Sequence, residues 1–258
     1  MSALRALIRA GLLGRALIHD AADYGGRRRR LGTLTAKDRA EWLQKSAARA
    51  LRGMGVTVSA QGATPSGGLL VSNHLGYLDA LAYAALLPCA FIAKQEVQDW
   101  PAFGRLVSMA GTIYVRRQPR DPNHKAVAAM ERAFAEGLTV ILFPEGTSTN
   151  GQSLLRFHSR FFEPAIRLRV PVATAAIALA APAAAEESIA YHGTDVLLPH
   201  LLRTLGTVGI HARVVFSKSH LYEDRKAATL AAQAEVSRLR MLLREGDPPA
   251  GTAPARSA

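Results

Sequence analysis

The chain has 258 residues, 49% of them hydrophobic and 20% charged, with a mean hydropathy of +0.07. This composition suits one large globular domain and excludes a largely disordered chain, and no self-similar period marks a solenoid or propeller. The single cysteine, Cys89, excludes an internal disulfide framework and a thiolate-rich zinc site, and fits a reducing compartment. The net charge of +12 is unevenly spread, because residues 1–52 hold twelve basic and only four acidic side chains. Such a basic end points to an anionic surface, either a membrane or a nucleic acid.

Residues 3–19 predict a helix, but Arg5, Arg9 and Arg15 interrupt its apolar run. Neither a membrane-spanning helix nor a secretory signal is expected there. A polar break over 20–33 follows, carrying Arg27, Arg28, Arg29 and Arg30. Residues 36–53 predict a second helix, on which Trp42, Leu43, Ala47, Ala50, Leu51 and Met54 share one face and Lys45, Arg49 and Arg52 lie opposite. That arrangement has two readings: a helix lying in a membrane interface, or one packed on its own domain with solvated arginines. The first helix is the poorer interfacial candidate, since Arg15 projects close to Leu4 and Ile8.

Beyond residue 53 the pattern becomes α/β. Short β-branched or apolar runs at 53–60, 67–73, 89–94, 112–117 and 138–144 predict strands, with helices at 78–87, 101–111 and 123–137 between them. A helix over 160–169, a buried strand in VPVATAAIAL, a strand over 209–220 and a charged amphipathic helix over 223–245 follow. The stretch 170–185 is nearly uncharged, but Pro171 and Pro182 make it a strand and loop rather than a membrane span. The expected fold is α/β: a mixed, largely parallel sheet flanked by helices, with an N-terminal amphipathic helical membrane-docking region. The expected divisions are a basic membrane-association region over 1–53, an α/β core over 54–222, a C-terminal helix over 223–246 and a disordered tail over 247–258.

The candidate chemistry sits in a few segments. In VSNHLGYLD, His74 follows a strand end and Asp79 falls in the first turn of the next helix, so its carboxylate can reach back to the imidazole. A His–Asp pair of this kind is a general base with an orienting group; the carboxylate fixes the tautomer and stabilises the imidazolium. Taken alone, the same spacing also describes a simple capping pair. Arg116 and Arg117 close the strand GTIYVRR, suited to bidentate phosphate contact or standing as solvated arginines. FPEGT follows the most apolar strand and places Glu145, Gly146 and Thr147 at the carboxyl edge of the sheet, where α/β folds bind ligands. An ordinary strand-to-loop turn would use Pro144 and Gly146 as well.

In this order NHLGYLD, GTIYVRR, FPEGT and VPVATAAI resemble the four blocks of the glycerolipid acyltransferases, the 1-acylglycerol-3-phosphate acyltransferase family in the broad sense. The resemblance covers roughly residues 36–220; the first and third blocks are specific at this spacing, the second moderately so, the fourth weak. It implies an O-acyltransferase in which His74 deprotonates the hydroxyl of a lysophospholipid or 1-acylglycerol-3-phosphate for attack on an acyl thioester, while Asp79 orients His74. It further implies that Arg117 holds the acceptor phosphate, with Arg116 beside it, and that Glu145, Gly146 and Thr147 shape the acceptor pocket. The implied partners are an acyl-ACP or acyl-CoA donor, a lysolipid acceptor and an anionic membrane surface, with no nucleic acid, no cofactor and no metal. The implied location is the cytoplasmic face of the cell membrane, as a peripheral or monotopic protein.

The chain departs from the family pattern at three points. Ser148 stands where members acting on lysophosphatidate usually carry arginine, Arg116 stands where many members carry a small or acidic residue and could compensate for that missing charge, and the fourth block lacks its second proline. The form TSTNG and the later stretch YHGTDVLLPHLLRTLG look more like the branch acylating lysophospholipids with larger headgroups, or lyso-ornithine lipids. Two other functions fit the residues: a non-catalytic basic module binding anionic lipid or nucleic acid, and a thioesterase in which the same base activates water. Aromatic residues make up only 6% of the chain without interleaving basic ones, which argues against a single-strand binder. The other seven histidines belong to no motif and are expected at surface or structural positions, except that His158, with Arg160, is a candidate for the acceptor site.

Overall fold

The computed structural model describes residues 3–99, 103–115 and 124–245. Among them seven strands form one sheet: β1 (Val56–Gln61), β2 (Gly68–Ser72), β3 (Cys89–Lys94), β4 (Ile113–Val115), β5 (Thr139–Leu142), β6 (Val172–Ala180) and β7 (Ile210–Phe216). The spatial order is β1-β7-β6-β2-β5-β3-β4. Every neighbouring pair is parallel except β6 with β7. The sheet is therefore mixed and largely parallel, as strands alternating with helices predict.

The helices are α1 (Ala3–Leu31), α2 (Ala36–Met54), α3 (Tyr77–Leu86), α4 (Phe103–Met109), α5 (His124–Ala135), α6 (Glu163–Arg167), α7 (Glu186–Ile189), α8 (Leu197–Gly206) and α9 (Arg225–Glu245). Successive side chains of the central strands alternate between two apolar layers. Leu70, Ile141 and Ile177 face one layer, with Leu51 of α2, Leu78 of α3 and Leu205 of α8. Leu69, Val140 and Ala176 face the other, with Met130 of α5, Ala165 of α6 and Val236 of α9. Burial on both faces explains why β2, β5 and β6 read as continuous apolar runs.

The N-terminal region differs from the expectation in two respects. First, the segment read as a polar break is helical, and α1 runs unbroken to Leu31. Its packing on α2 overrides the poor helix propensity of Gly25 and Gly26. Asp20 is buried and accepts a bond from Arg49 Nε at 2.6 Å, Trp42 Nε1 donates to the Asp20 carbonyl at 3.1 Å, and Tyr24 meets Trp42 edge-on. Second, of the two readings of α2 the packed one holds, with Trp42, Leu51 and Met54 inside the domain, but Arg49 is paired rather than solvated. A Thr35–Asp38 capping box starts α2, and Gly55 at φ 69° closes it. It is α1, the poorer candidate by sequence, that leaves Leu4, Leu7, Ile8 and Leu12 exposed.

Elsewhere the differences are smaller. The helix expected over 160–169 is a 3₁₀ turn at Ser159–Phe162 followed by α6, and Arg169 at φ 49° ends it. Helices α7 and α8 had no counterpart in the sequence reading. The expected tail over 247–258, and Arg116 and Arg117, lie outside the described residues. No helix of the described residues is long and apolar enough to cross a membrane.

Candidate active site

Strands β2 and β5 are parallel neighbours, so the loops leaving their carboxyl ends, 73–76 and 143–149, meet on one edge of the sheet. His74 lies in the first loop and Asp79 in the first turn of α3. His74 Nδ1 is 2.9 Å from Asp79 Oδ2, and the same oxygen accepts the N–H groups of Leu75 and, at 3.1 Å, Gly76. The tight loop needs a glycine: Gly76 has φ 124°, and a Cβ there would lie 2.7 Å from Tyr191 Cβ. Tyr191 in turn donates its N–H to the Leu75 carbonyl at 2.8 Å.

A carboxylate only accepts, so the hydrogen bond to Asp79 assigns the proton to Nδ1 and leaves Nε2 as the basic nitrogen. Asp79 is fully buried, whereas the His74 side chain is 24% exposed, so a substrate can reach the imidazole but not its carboxylate. The Phe143 ring stacks on the imidazole with centroids 4.2 Å apart and planes 10° from parallel.

The third block holds the histidine by its main chain. Glu145 Oε1 accepts the His74 N–H at 2.9 Å, and Glu145 Oε2 accepts the Leu155 N–H at 2.8 Å. Thr149 donates its N–H to the His74 carbonyl at 2.9 Å. Burial pushes the Glu145 pKa up, while the two N–H donors oppose that shift. Glu145, expected to shape an acceptor pocket, thus uses both oxygens to brace backbone. Gly146 closes the turn by donating to the Phe143 carbonyl at 3.1 Å, with φ 69°, and Thr147 beside it is exposed. His158 and Arg160 are exposed, and the His158 N–H reaches the Pro144 carbonyl at 2.9 Å.

Sequence reasoning missed the buried polar groups beneath this edge. The Asn73 side chain pairs with the backbone of Ile177 on β6, donating Nδ2 to its carbonyl at 3.1 Å and accepting its N–H at 2.9 Å. Arg240 of α9 donates to the Ile177 carbonyl, the Gly151 carbonyl and Glu186 Oε2, each at 2.6 Å, tying β6, the 147–152 loop and α7 together. Tyr77, the first residue of α3, bonds His200 Nδ1 at 2.9 Å and Thr204 Oγ1 at 3.0 Å on α8. His200 Nε2 donates to the Ala190 carbonyl at 3.0 Å, which leaves Nδ1 as acceptor of the Tyr77 hydroxyl; burial holds the His200 pKa down. The asparagine directly before His74 was a usable signal. Arg240 offered none, because its partners are remote in sequence. Among the described residues, no group of three or more His, Cys, Asp or Glu is placed to hold a metal ion.

A family model described as Acyltransferase matches residues 55–178. The chain is 36% identical over 140 residues to the lyso-ornithine lipid O-acyltransferase of Pseudomonas aeruginosa, covering 53% of each protein. It is 31% identical over 191 residues to the lyso-ornithine lipid O-acyltransferase of Brucella abortus, covering 68% of this chain and 70% of that one. The chain spans about half the length of the Pseudomonas relative. Its fold is similar to the crystal structure of the 1-acyl-sn-glycerophosphate acyltransferase PlsC of Thermotoga maritima, with a TM-score of 0.60 at 20% identity over 91% of this chain and 98% of that one.

Proposed function

Because the chain belongs to the acyltransferase family, we propose that it moves a fatty acyl group from an acyl thioester to the free hydroxyl of a membrane lysolipid. The observation that carries this reading is the His74–Asp79 pair, with a buried carboxylate on Nδ1 and a partly open imidazole at the carboxyl edge of the sheet. His74 Nε2 takes the proton of the acceptor hydroxyl as its oxygen attacks the thioester carbonyl, and Asp79 stabilises the imidazolium. The tetrahedral intermediate then collapses to the new ester and expels the thiolate, which takes the proton back from His74.

The donor is an acyl-ACP or acyl-CoA thioester, and the acceptor a lysophospholipid or 1-acylglycerol-3-phosphate. Arg116 and Arg117, which follow β4 in the chain, are assigned to the acceptor phosphate, and Gly146 and Thr147 to the rim of the acceptor pocket. A second reading, lyso-ornithine lipid as acceptor, is favoured by Ser148, which leaves one fewer cation for a phosphate, and by the relatives from Pseudomonas and Brucella.

The reaction takes place at the cytoplasmic face of the membrane, on an anionic leaflet. Within the 1–53 region, α1 supports this with exposed Leu4, Leu7, Ile8 and Leu12 and exposed Arg15, Arg28, Arg29 and Arg30. Each such cation near an anionic leaflet adds about 1 kcal/mol.

Purified protein given labelled acyl-ACP or acyl-CoA with lysophosphatidate, lysophosphatidylcholine, lysophosphatidylethanolamine and lyso-ornithine lipid tests the proposal. Diacyl product with at least one acceptor supports it, and the preferred acceptor decides between the two readings. Free fatty acid formed equally without lysolipid would replace the reading with a thioesterase. Vesicle binding with no product from any pairing would replace it with a lipid-binding module.

A further inference from the structure

Helix α8 has two faces with different roles. Its inward face grips the catalytic region, because His200 and Thr204 hold Tyr77, which follows the His74 loop directly. Its outward face is apolar and, among the described residues, left uncovered: Leu198 is 64% and Leu202 47% exposed, one turn apart. Helix α1 packs along α8, and two arginines bond across the contact. Arg5 Nη1 donates to the Gly206 carbonyl at 3.3 Å, and Arg9 Nη1 to the carbonyls of Leu205 at 3.1 Å and Thr207 at 2.5 Å.

Two cations thus cap the carboxyl end of α8, where the helix dipole favours them. By helical geometry, the Arg5–Arg9 stripe of α1 borders the one bearing Leu4, Ile8 and Leu12. Two of the three arginines that break the apolar run in sequence, Arg5 and Arg9, therefore turn toward α8 and leave the leucines on the surface. Large apolar side chains gathered on two adjoining helices are unusual for a surface facing only water. Exposed Arg15 lies within the α1 stripe, so the charge beside this face is positive, and Arg28 to Arg30 carry the same sign at the far end of the helix.

We propose that α8 is a second lipid-inserting helix, entering an anionic leaflet beside α1 through Leu198 and Leu202. This rests on the membrane-docking reading above and adds to it the element that joins the leaflet to the catalytic loop. Lipid lies on one side of α8 and Tyr77 on the other, so docking seats the His74 edge at the membrane surface.

The test uses the full chain and sedimentation with vesicles of phosphatidylcholine and phosphatidylglycerol. Wild type should bind, and a Leu198→Glu/Leu202→Glu variant should lose at least about tenfold in vesicle partition, as expected for removing two buried leucines. That variant should keep its acyl transfer to detergent-dispersed lysolipid. Binding equal to wild type, with binding lost in Leu4→Glu/Ile8→Glu, would overturn the role of α8 and leave docking by α1 standing. A wild type that fails to bind would overturn both. Should the double variant not fold, Leu202→Trp with vesicles carrying a brominated lipid gives the second measurement. Quenching of the added fluorescence is the expected result, and none would overturn the proposal.

Discussion

Glu145 and His74 meet at the main chain across 71 positions of sequence, the Glu145 carboxylate accepting the His74 N–H at 2.9 Å. The same carboxylate takes the Leu155 N–H, so it bridges the histidine loop and the segment after the third block. A carboxylate can serve two N–H donors, whereas an amide would turn an NH₂ toward one of them. Glu145→Gln should therefore lower kcat by about 10- to 100-fold, in keeping with the roughly 1.5–3 kcal/mol of a hydrogen bond to a charged group. Steady-state kinetics against lysolipid concentration checks this. A residue bracing His74 changes kcat with little effect on KM, while one touching the acceptor would raise KM.

Asp79 supplies the acceptor on Nδ1 of His74 and also gathers two loop N–H groups. Asp79→Asn keeps the shape of the side chain but removes the charge that, in the proposed mechanism, stabilises the imidazolium. The turnover number should fall about 1,000-fold. Far-UV circular dichroism and vesicle binding of the variant should match wild type.

Arg240 is buried and satisfies two backbone carbonyls and Glu186 at once. Replacement by methionine leaves those acceptors and the Glu186 charge without their partner. Arg240→Met should cost about 3 kcal/mol of stability, read as a lower denaturant midpoint at unchanged m value.

Burial holds the pKa of His200, and likewise of His211, below the ordinary value of 6.5. In the window below that value the unfolded chain binds more protons than the folded one, so stability falls as pH falls. These two groups contribute fully above about pH 6.5 and progressively less toward their lowered folded values. Thermal unfolding between pH 7.5 and 5.5 should show this decline, and His200→Asn should flatten it.

The strands could be read from the sequence where burial was two-sided. CAFIAK matches β3 residue for residue, and the apolar run before FPEGT contains β5. The His74–Asp79 contact could also be read, because a strand end and a first helical turn five residues apart leave few other places for the carboxylate. The extent of α1 could not, since Gly25, Gly26 and four arginines look like a break until Trp42 and Arg49 of α2 close on Asp20. The apolar face of α2 had two readings by periodicity alone, and only its packing against α3 decided between them. Helix α8 was hidden by Pro199 near its start and by an inward face that mixes His200 and Thr204 with Leu205. The support given by Asn73 and Arg240 is non-local, pairing with positions 104 and 63 residues away.

The central claim is that His74 is the general base of acyl transfer to a lysolipid hydroxyl. The most direct test compares diacyl product formation by wild type and His74→Ala, with the acyl thioester and preferred lysolipid saturating and vesicle binding measured in parallel. The rate should fall by about 1,000-fold or more, with fold and vesicle binding unchanged. A His74→Ala variant that forms diacyl product within a few-fold of the wild-type rate would contradict the account.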